Sequence, residues 1–134
     1  MAVLALTDAS ITINSISLGN RANSVTINYE VDSIEVTAFG DTGHKFTGGL
    51  QNNSIEIALM QDFAAANVEA TIYPLVGTTT TVVIKPTSAA VSATNPSYTI
   101  TAFLASHTPV AGAVGELAMT TLTFTGGSLT KAVA

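Results

Sequence analysis

Residues 25–32 read Val-Thr-Ile-Asn-Tyr-Glu-Val-Asp, so apolar and polar side chains alternate strictly along this stretch. A repeat of two residues is typical of a strand with one face against a core, because successive side chains of a strand point to opposite sides. The same alternation is present at residues 11–14, 55–60 and 117–124. Threonine makes up about one residue in six, and its branched Cβ suits a pleated sheet better than a helix. The chain is therefore predicted to be mainly β.

Turn-forming pairs separate the predicted strands. Asn14-Ser15 and Gly19-Asn20 indicate early turns, because these residue types favour tight bends. The predicted strands cover residues 25–39, with a bend near Asp32-Ser33, and then residues 51–60, 79–85, 97–106 and 115–125. These patterns predict a β-sheet protein in which one short helix covers a face or an end of the sheet.

One stretch near the middle has helical spacing. Asp62 is predicted to be its N-cap, because a carboxylate there can accept an orphan backbone N–H. The residues at helical spacing are Phe63, Ala66, Ala70 and Tyr73. Pro74 and Gly77 are expected to end the helix.

Two segments are predicted to be irregular within a single domain of residues 1–134. Residues 40–49 contain four glycines, which favours a flexible loop at about 40–50. Residues 126–134 are small and polar, which is consistent with a C-terminal arm.

The composition favours burial of this chain by other protein. Of its 134 residues 47% are hydrophobic, and only 10% are charged, against about 25% in an average soluble domain. A bilayer-spanning helix needs roughly 20 apolar residues, and residues 64–76 are interrupted by polar side chains. The first residues have no basic segment and too short an apolar run for a signal peptide, so synthesis in the cytoplasm is expected. A low fraction of charged residues, in a sequence without a predicted membrane-spanning helix, indicates that other subunits of an oligomer cover much of the surface.

Charge and motifs weigh against catalysis and against specific nucleic-acid binding. The net charge is −5, and the four basic residues are scattered, so no stripe of cations is available for phosphates. Cysteine is absent, and no nucleophile elbow, zinc-protease motif or phosphate-binding loop is present. His44 and His107 lie far apart in sequence and are read as surface residues. No catalytic residue, cofactor or metal ligand is predicted.

The carboxylates of the first half allow one weak alternative. Glu30 and Asp32 would share a face of a regular strand, where the favoured interpretation is an acidic, solvated surface. A weak calcium site is conceivable because oxygen ligands can come from separate strands, although no loop has the ligand density of an EF-hand. Its candidate ligands are Asp8, Glu30, Asp32, Glu35 and Asp41.

Several stretches resemble the small tail tube proteins of long-tailed, non-contractile bacteriophages. They include Ile13-Asn14-Ser15-Ile16-Ser17-Leu18, Asn23-Ser24-Val25-Thr26-Ile27-Asn28-Tyr29-Glu30, Val36-Thr37-Ala38-Phe39-Gly40-Asp41-Thr42-Gly43-His44-Lys45 and Gln61-Asp62-Phe63-Ala64. Pro74-Leu75-Val76-Gly77, Asn95-Pro96-Ser97-Tyr98-Thr99, Gly115-Glu116-Leu117-Ala118 and Leu122-Thr123-Phe124-Thr125 continue the resemblance over most of the chain. The resemblance lies in the order of the predicted elements and in these short stretches of sequence, and it does not depend on one diagnostic motif.

The resemblance implies a mainly β fold of two packed antiparallel sheets, a β-sandwich or barrel, flanked by a short α-helix. It also implies a structural virion protein and not an enzyme. Six copies would form a ring whose inner sheets join into one barrel, and the rings would stack into a hollow tail tube. Phage DNA would pass through it without specific binding. The implied partners are further copies of the chain and the tape measure, tail terminator and baseplate proteins, in the tail of a virion made in the host cytoplasm.

The resemblance also assigns roles to two groups of residues. Candidates for contacts between subunits or rings are Gly40, Asp41, Thr42, Gly43, His44, Lys45, Phe46, Gly48 and Gly49. Candidates for an acidic lumen are Glu30, Asp32 and Glu35, because negative charge would repel DNA. A capsid decoration protein or a head–tail joining ring remains an alternative. A carbohydrate-binding β-sandwich is less favoured, because the chain has no Trp and only three Tyr.

Overall fold

A computed structural model describes residues 4–65 and 67–133, and these ranges hold ten strands and one α-helix. The first five strands are β1 (Ser10–Ile13), β2 (Ile16–Ser17), β3 (Ala22–Asn28), β4 (Val31–Glu35) and β5 (Phe46–Gln51). The others are β6 (Ser54–Met60), β7 (Thr79–Lys85), β8 (Ser97–His107), β9 (Met119–Thr125) and β10 (Leu129–Ala132). The helix α1 is Val68–Ile72, and 3-10 turns occupy Gly19–Arg21 and Tyr73–Leu75.

The strands form two antiparallel sheets of unequal size. The large sheet has the order β2-β1-β7-β8-β9-β6-β3, and β4 and β5 form a separate hairpin. Strand β8 is the longest, with 11 residues. One edge of β8 pairs with β7, while its other edge pairs with β10 near its start and with β9 near its end. The fold class predicted from the sequence is confirmed: mainly β, one short helix and two antiparallel sheets.

The large sheet curls so that its two ends approach each other. Val25 and Ile27 belong to β3, which is the last strand of the sheet order. These two side chains nevertheless share a cavity wall with Ile84 of β7 and Tyr98 of β8. Curling encloses the apolar faces of β1, β6, β7, β8 and β9, whereas β2 remains exposed and β3 and β10 are only partly covered.

The core consists of the apolar side chains that alternate along the strands, together with two residues of α1. Its fully buried members are Ile11, Ile13, Leu18, Ile55, Ile57, Leu59, Val68, Ile72, Val82, Ile84, Ile100, Ala102, Leu104, Leu122 and Phe124. Burial of each large apolar side chain stabilises the fold by about 1.5–3 kcal/mol. Val68 and Ile72 are four positions apart, so they lie on one face of α1, and that face packs against the sheet.

The predicted turn at Asn14-Ser15 is confirmed. Ile13 pairs with Ile16, so only these two residues connect β1 to β2. Asn14 and Ser15 have φ values of 51° and 67°. A two-residue hairpin of type I′ requires positive φ at both positions, because its twist then matches that of the strands.

The predicted long strand over residues 25–39 is wrong, because the chain leaves the large sheet after Asn28. The backbone N–H of Glu30 donates to Asn53 Oδ1 at 3.2 Å, and the N–H of Asn52 donates to the Glu30 carbonyl at 2.8 Å. The backbone N–H and carbonyl of Glu30 therefore form their hydrogen bonds with the loop before β6. Strand β4 then starts a separate hairpin. Strand β6 begins at Ser54, and not at Gln51, which ends β5.

The predicted helix from Asp62 to Tyr73 begins too early. Helix α1 starts at Val68, after Asn67 in the N-cap position. The Asp62 carboxylate instead accepts the N–H of Ala64 at 2.9 Å and the Arg21 Nε–H at 2.9 Å. Because Asp62 is held by Arg21 in a turn, it cannot cap the helix. Phe63 and Tyr73 of the predicted pattern are exposed, and Ala66 lies outside the described residues.

The later strands fit the prediction except at their ends. Strands β7 and β8 agree with it to within one residue, whereas β9 begins at Met119 and not at Gly115. The predicted C-terminal arm contains β10, which pairs with the start of β8. The predicted loop at 40–50 contains β5, because Phe46–Gln51 pairs with β4.

Candidate assembly surface

The hairpin of β4 and β5 projects from the sheet and has a defined tip. Ser33 pairs with Gly48 and Glu35 with Phe46, with an irregularity between Val31 and Ser33. A Cβ on Gly49 would lie 2.9 Å from Cδ1 of Ile34, the end of an exposed side chain. A larger residue at this position would therefore require the Ile34 side chain to shift.

A tight turn forms the tip of this hairpin. The N–H of Asp41 donates to the Ala38 carbonyl at 3.1 Å, which closes a four-residue turn around Phe39 and Gly40. Gly40 has φ +94°, as the third residue of a type II turn requires. The side chain of Asp41 accepts the N–H of Ala38 at 2.8 Å. These contacts hold Phe39 at the apex of the hairpin.

Polar side chains connect the two chain segments that lead into and out of the tip. The His44 Nδ1 atom lies against Glu35 Oε2, and the Thr37 hydroxyl donates to the same carboxylate at 2.9 Å. Lys45 Nζ lies 2.9 Å from Asp41 Oδ1. The backbone N–H of Ala38, followed by the Lys45 ammonium, holds the pKa of the Asp41 carboxyl below its ordinary value. This part of the predicted loop is thus cross-linked by hydrogen bonds.

The hairpin exposes an unusual number of large apolar side chains. They are Tyr29, Val31, Ile34, Val36, Phe39, Phe46 and Leu50, and the last is 81% exposed. Ile34 pairs with Thr47 and Glu35 with Phe46, so apolar side chains are exposed on both faces of the hairpin. Among the nine predicted contact residues, Phe46 alone belongs to this apolar set, so the sequence prediction did not include most of these apolar side chains.

The three predicted lumen carboxylates all lie on or beside the hairpin. Glu30 precedes β4 and accepts the Asn28 amide at 2.8 Å, whereas Asp32 and Glu35 belong to β4. Glu30 lies outside the strands, so Glu30 and Asp32 do not form the predicted strand face. Side chains of all three are exposed.

A second exposed surface, here called the threonine face, is the outer side of the large sheet. Directly paired residues share a face, so the strand register defines its members. Its polar members include Ser24, Thr26, Ser54, Glu56, Thr81, Thr99, Thr101, Thr121, Thr123 and Thr125, and the same register places Ala58, Val83 and the exposed Phe103 among them. Glu56 lies in the middle of this array, between Thr26 and Thr123. The alternation of threonine with apolar residues in the sequence was the signal for it, although the prediction did not use that signal.

A buried polar cluster joins α1 to the sheet. His107 is 2% exposed in its side chain, and its Nε2 lies 3.1 Å from Glu69 Oε2. Its Nδ1 lies 2.8 Å from the hydroxyl of the fully buried Thr120. The Gln61 amide donates to the Pro109 carbonyl at 2.7 Å and to Glu69 at 3.5 Å. His107, predicted as a surface residue, is therefore a structural link between layers.

The conceivable calcium site is not assembled. Within residues 4–65 and 67–133, no three His, Asp or Glu side chains converge on a position for a metal ion. Asp8 instead accepts the hydroxyl and backbone N–H of Ser88, which hold the pKa of its carboxyl below the ordinary value. No helix within the same ranges is long and apolar enough to cross a bilayer.

The fold is shared with components of phage-tail-like particles. Neither the family models nor the curated proteins include a match to this chain. Among solved structures, a chain of the sheath–tube complex of an extracellular contractile injection system has a TM-score of 0.72 at 12% identity, over 98% of this chain and 93% of that one. A chain of the virion of a native gene transfer agent has a TM-score of 0.74 at 15% identity, over 96% and 98%.

A third structure is the tail of an empty gene transfer agent particle, solved with C6 symmetry. Its chain has a TM-score of 0.54 at 16% identity, over 82% of this chain and 81% of that one. At these identities the likeness is one of fold, and the fold is tail-tube-like.

Proposed function

We propose that this chain is a structural subunit of a tail tube, in which rings of six copies stack into a hollow filament that conducts DNA. The observation that carries the proposal is the apolar hairpin, on a fold shared with components of tail-like particles. Removal of exposed apolar side chains from water is favourable, so their number on this hairpin favours cover by another molecule. In a tube, neighbouring copies would supply that cover, and the subunit would need no catalytic site.

The threonine face is suited to the wall of a channel for DNA. Its hydroxyls are neutral and bind water, so they offer no fixed cation to a passing phosphate. Glu56 adds negative charge that repels phosphate. We further propose that Glu30, Asp32 and Glu35 contribute to the same negative potential where the hairpin meets the channel.

The proposal extends to the partners and the location of the protein. A tube of this kind would meet a tape measure protein inside it, a terminator at one end and a baseplate at the other, in the tail of a virion. We retain the prediction of a non-contractile tail, and a sheath around native particles would contradict it.

Electron microscopy of the purified protein tests the function. We expect tubes of uniform diameter with sixfold rings in class averages, at concentrations at which the Phe39→Ser/Leu50→Ser double variant remains monomeric. The variant should melt at the wild-type temperature, because both side chains are exposed in the single chain. Val114→Ser is the matched control, since Val114 is equally exposed but lies outside the hairpin.

The same images discriminate the alternatives. Single rings without stacking would favour a head–tail joining ring, and trimeric knobs would favour a capsid decoration protein. A wild-type chain that stays monomeric at the highest soluble concentration would overturn the assembly proposal.

A further inference from the structure

An apolar groove lies where the curled sheet brings β3 close to β7 and β8. Its volume is about 270 Å³, and its walls include Leu4, Leu6, Val25, Ile27 and Tyr98. Leu4 and Leu6 remain 52% and 55% exposed, so the chain's own residues leave the groove partly uncovered. A groove of this volume is large enough to receive one aromatic side chain from another molecule.

Two lysines lie in or beside this groove. Lys85 lines it, and Lys131 of β10 is paired with Tyr98, one of the lining residues of β8. Lys85 Nζ donates to the Ala89 carbonyl at 3.0 Å, and neither lysine forms an ion pair within the described part of the chain. An approaching acidic segment would therefore meet two cations.

The hairpin tip has the complementary properties. Phe39 stands fully exposed at its apex, held there by the turn at Gly40. Residues 29–51 carry four carboxylates and one lysine. An aromatic anchor on a pre-ordered turn loses little entropy on binding, and opposite potentials steer and orient the contact. Within one copy Phe39 does not fill the groove, because its side chain is fully exposed.

We infer that the hairpin of one copy docks into the groove of the next, with Phe39 in the apolar pocket between β3 and β8 and the hairpin carboxylates towards Lys85 and Lys131. This inference rests on the proposed function and names the surface that receives the hairpin. Hairpin and groove are different patches, so the contact is heterologous. Repetition of such a contact generates a closed ring or a filament.

Disulfide cross-linking tests the docking, since the chain contains no cysteine that would interfere. The variants are Ala38→Cys/Leu6→Cys and Ala38→Cys/Leu4→Cys, which keep Phe39 and place the cysteine at the exposed residue next to it; they are assembled, oxidised and run on a non-reducing gel. A disulfide forms only when the two Cα atoms approach within about 7 Å. We expect a ladder of covalent multimers from at least one variant, because each copy would be linked to a copy on either side.

Two controls separate docking from chance collision. Ala38→Cys alone can give no species larger than a dimer, and Val114→Cys/Leu6→Cys, with an exposed partner site outside the hairpin, should give no ladder. A second measurement avoids cysteine altogether. Lys85→Glu/Lys131→Glu should raise the concentration needed for assembly at least tenfold, and Asp32→Lys/Glu35→Lys should restore it in part.

The outcomes distinguish the docking from the proposed function. Assembly of both cysteine variants without any ladder, together with unchanged assembly of the lysine variant, would overturn the docking while tube formation stands. Failure of the wild-type chain to assemble under any condition would overturn the proposed function and the docking with it.

Discussion

Asn53 and Gly127 are 74 positions apart, yet the Asn53 side-chain amide donates to the Gly127 carbonyl at 3.1 Å. Asn53 is 2% exposed, and its Oδ1 accepts the backbone N–H of Glu30 at 3.2 Å. Its amide also donates to Gln51 Oε1 at 2.8 Å. One buried side chain thus ties the base of the hairpin to the corner between β9 and β10.

Replacement of this side chain should loosen the hairpin. Asn53→Ala leaves the Glu30 N–H and the Gly127 carbonyl without their partner, which is expected to cost about 1–3 kcal/mol in the free energy of unfolding. Chemical denaturation measures the loss. Asn28→Ala is the control, because Asn28 donates to Glu30 on the surface and should change stability little. Equal losses in the two variants would contradict the role of Asn53.

The corner between β9 and β10 should tolerate a side chain at one glycine and not at its neighbour. Gly126 and Gly127 both have positive φ, near 80°. A Cβ on Gly127 would lie 2.1 Å from the Thr101 carbonyl oxygen, whereas one on Gly126 meets nothing within 4 Å. Gly126→Ala should cost about 1–2 kcal/mol from the backbone conformation alone.

Gly127→Ala should destabilise the fold by clearly more than Gly126→Ala, because it adds the backbone clash to the same conformational cost. Thermal unfolding of the two variants in parallel measures the difference. A smaller loss for Gly127→Ala than for Gly126→Ala would show that β10 does not pack as described.

The turn between β1 and β2 offers a stabilising substitution. Ser15 has φ 67°, which strains a side-chain-bearing residue, and Asn-Gly is the preferred pair for this type of turn. Ser15→Gly is expected to gain about 0.5–1 kcal/mol, after the greater entropy of glycine in the unfolded chain is subtracted. A raised unfolding midpoint would confirm it. Ser17→Gly, in the adjoining strand, should lower the midpoint.

The ion pair of Asp62 with Arg21 should make stability depend on acidity. The Ala64 N–H, then the Arg21 guanidinium, lower the pKa of the Asp62 carboxyl from its ordinary 3.8. Because the pKa of Asp62 is lower in the folded state than in the unfolded chain, its ionised carboxylate stabilises the fold above about pH 4. This stabilisation is lost as the pH falls through the folded-state pKa. The pKa values of Asp8 and Asp41 are also lowered, so they act in the same direction.

The melting temperature between pH 7 and pH 2.5 tests this dependence. Asp62→Asn should be less stable than the wild type at pH 7, and the difference should shrink at the acid end. Asp32→Asn, at an exposed position of β4, is the control and should follow the wild-type curve. A constant gap between wild type and Asp62→Asn across the range would exclude a role for the ionised carboxylate.

The sequence by itself determined where most strands lie. Alternation along residues 55–60 is a local property and indicated a strand without knowledge of any partner, and the structure shows that Ile55, Ile57 and Leu59 form its buried side. The turn at Asn14 could be predicted for the same reason, because its residue types favour the φ values that a tight turn requires. Low charge led to the prediction of an oligomer, whereas the glycine-rich segment was predicted to be a flexible loop and in fact contains β5 of the hairpin.

Only the tertiary structure decided where the chain leaves the sheet, where the helix begins and which surfaces lie side by side. Asn53 draws Glu30 out of the strand, and Arg21 holds Asp62 in a turn, both through contacts between residues far apart in sequence. The groove exists because the sheet curls until β3 faces Tyr98. Such contacts depend on the pairing of distant segments, and a periodic pattern carries no information about which segments pair.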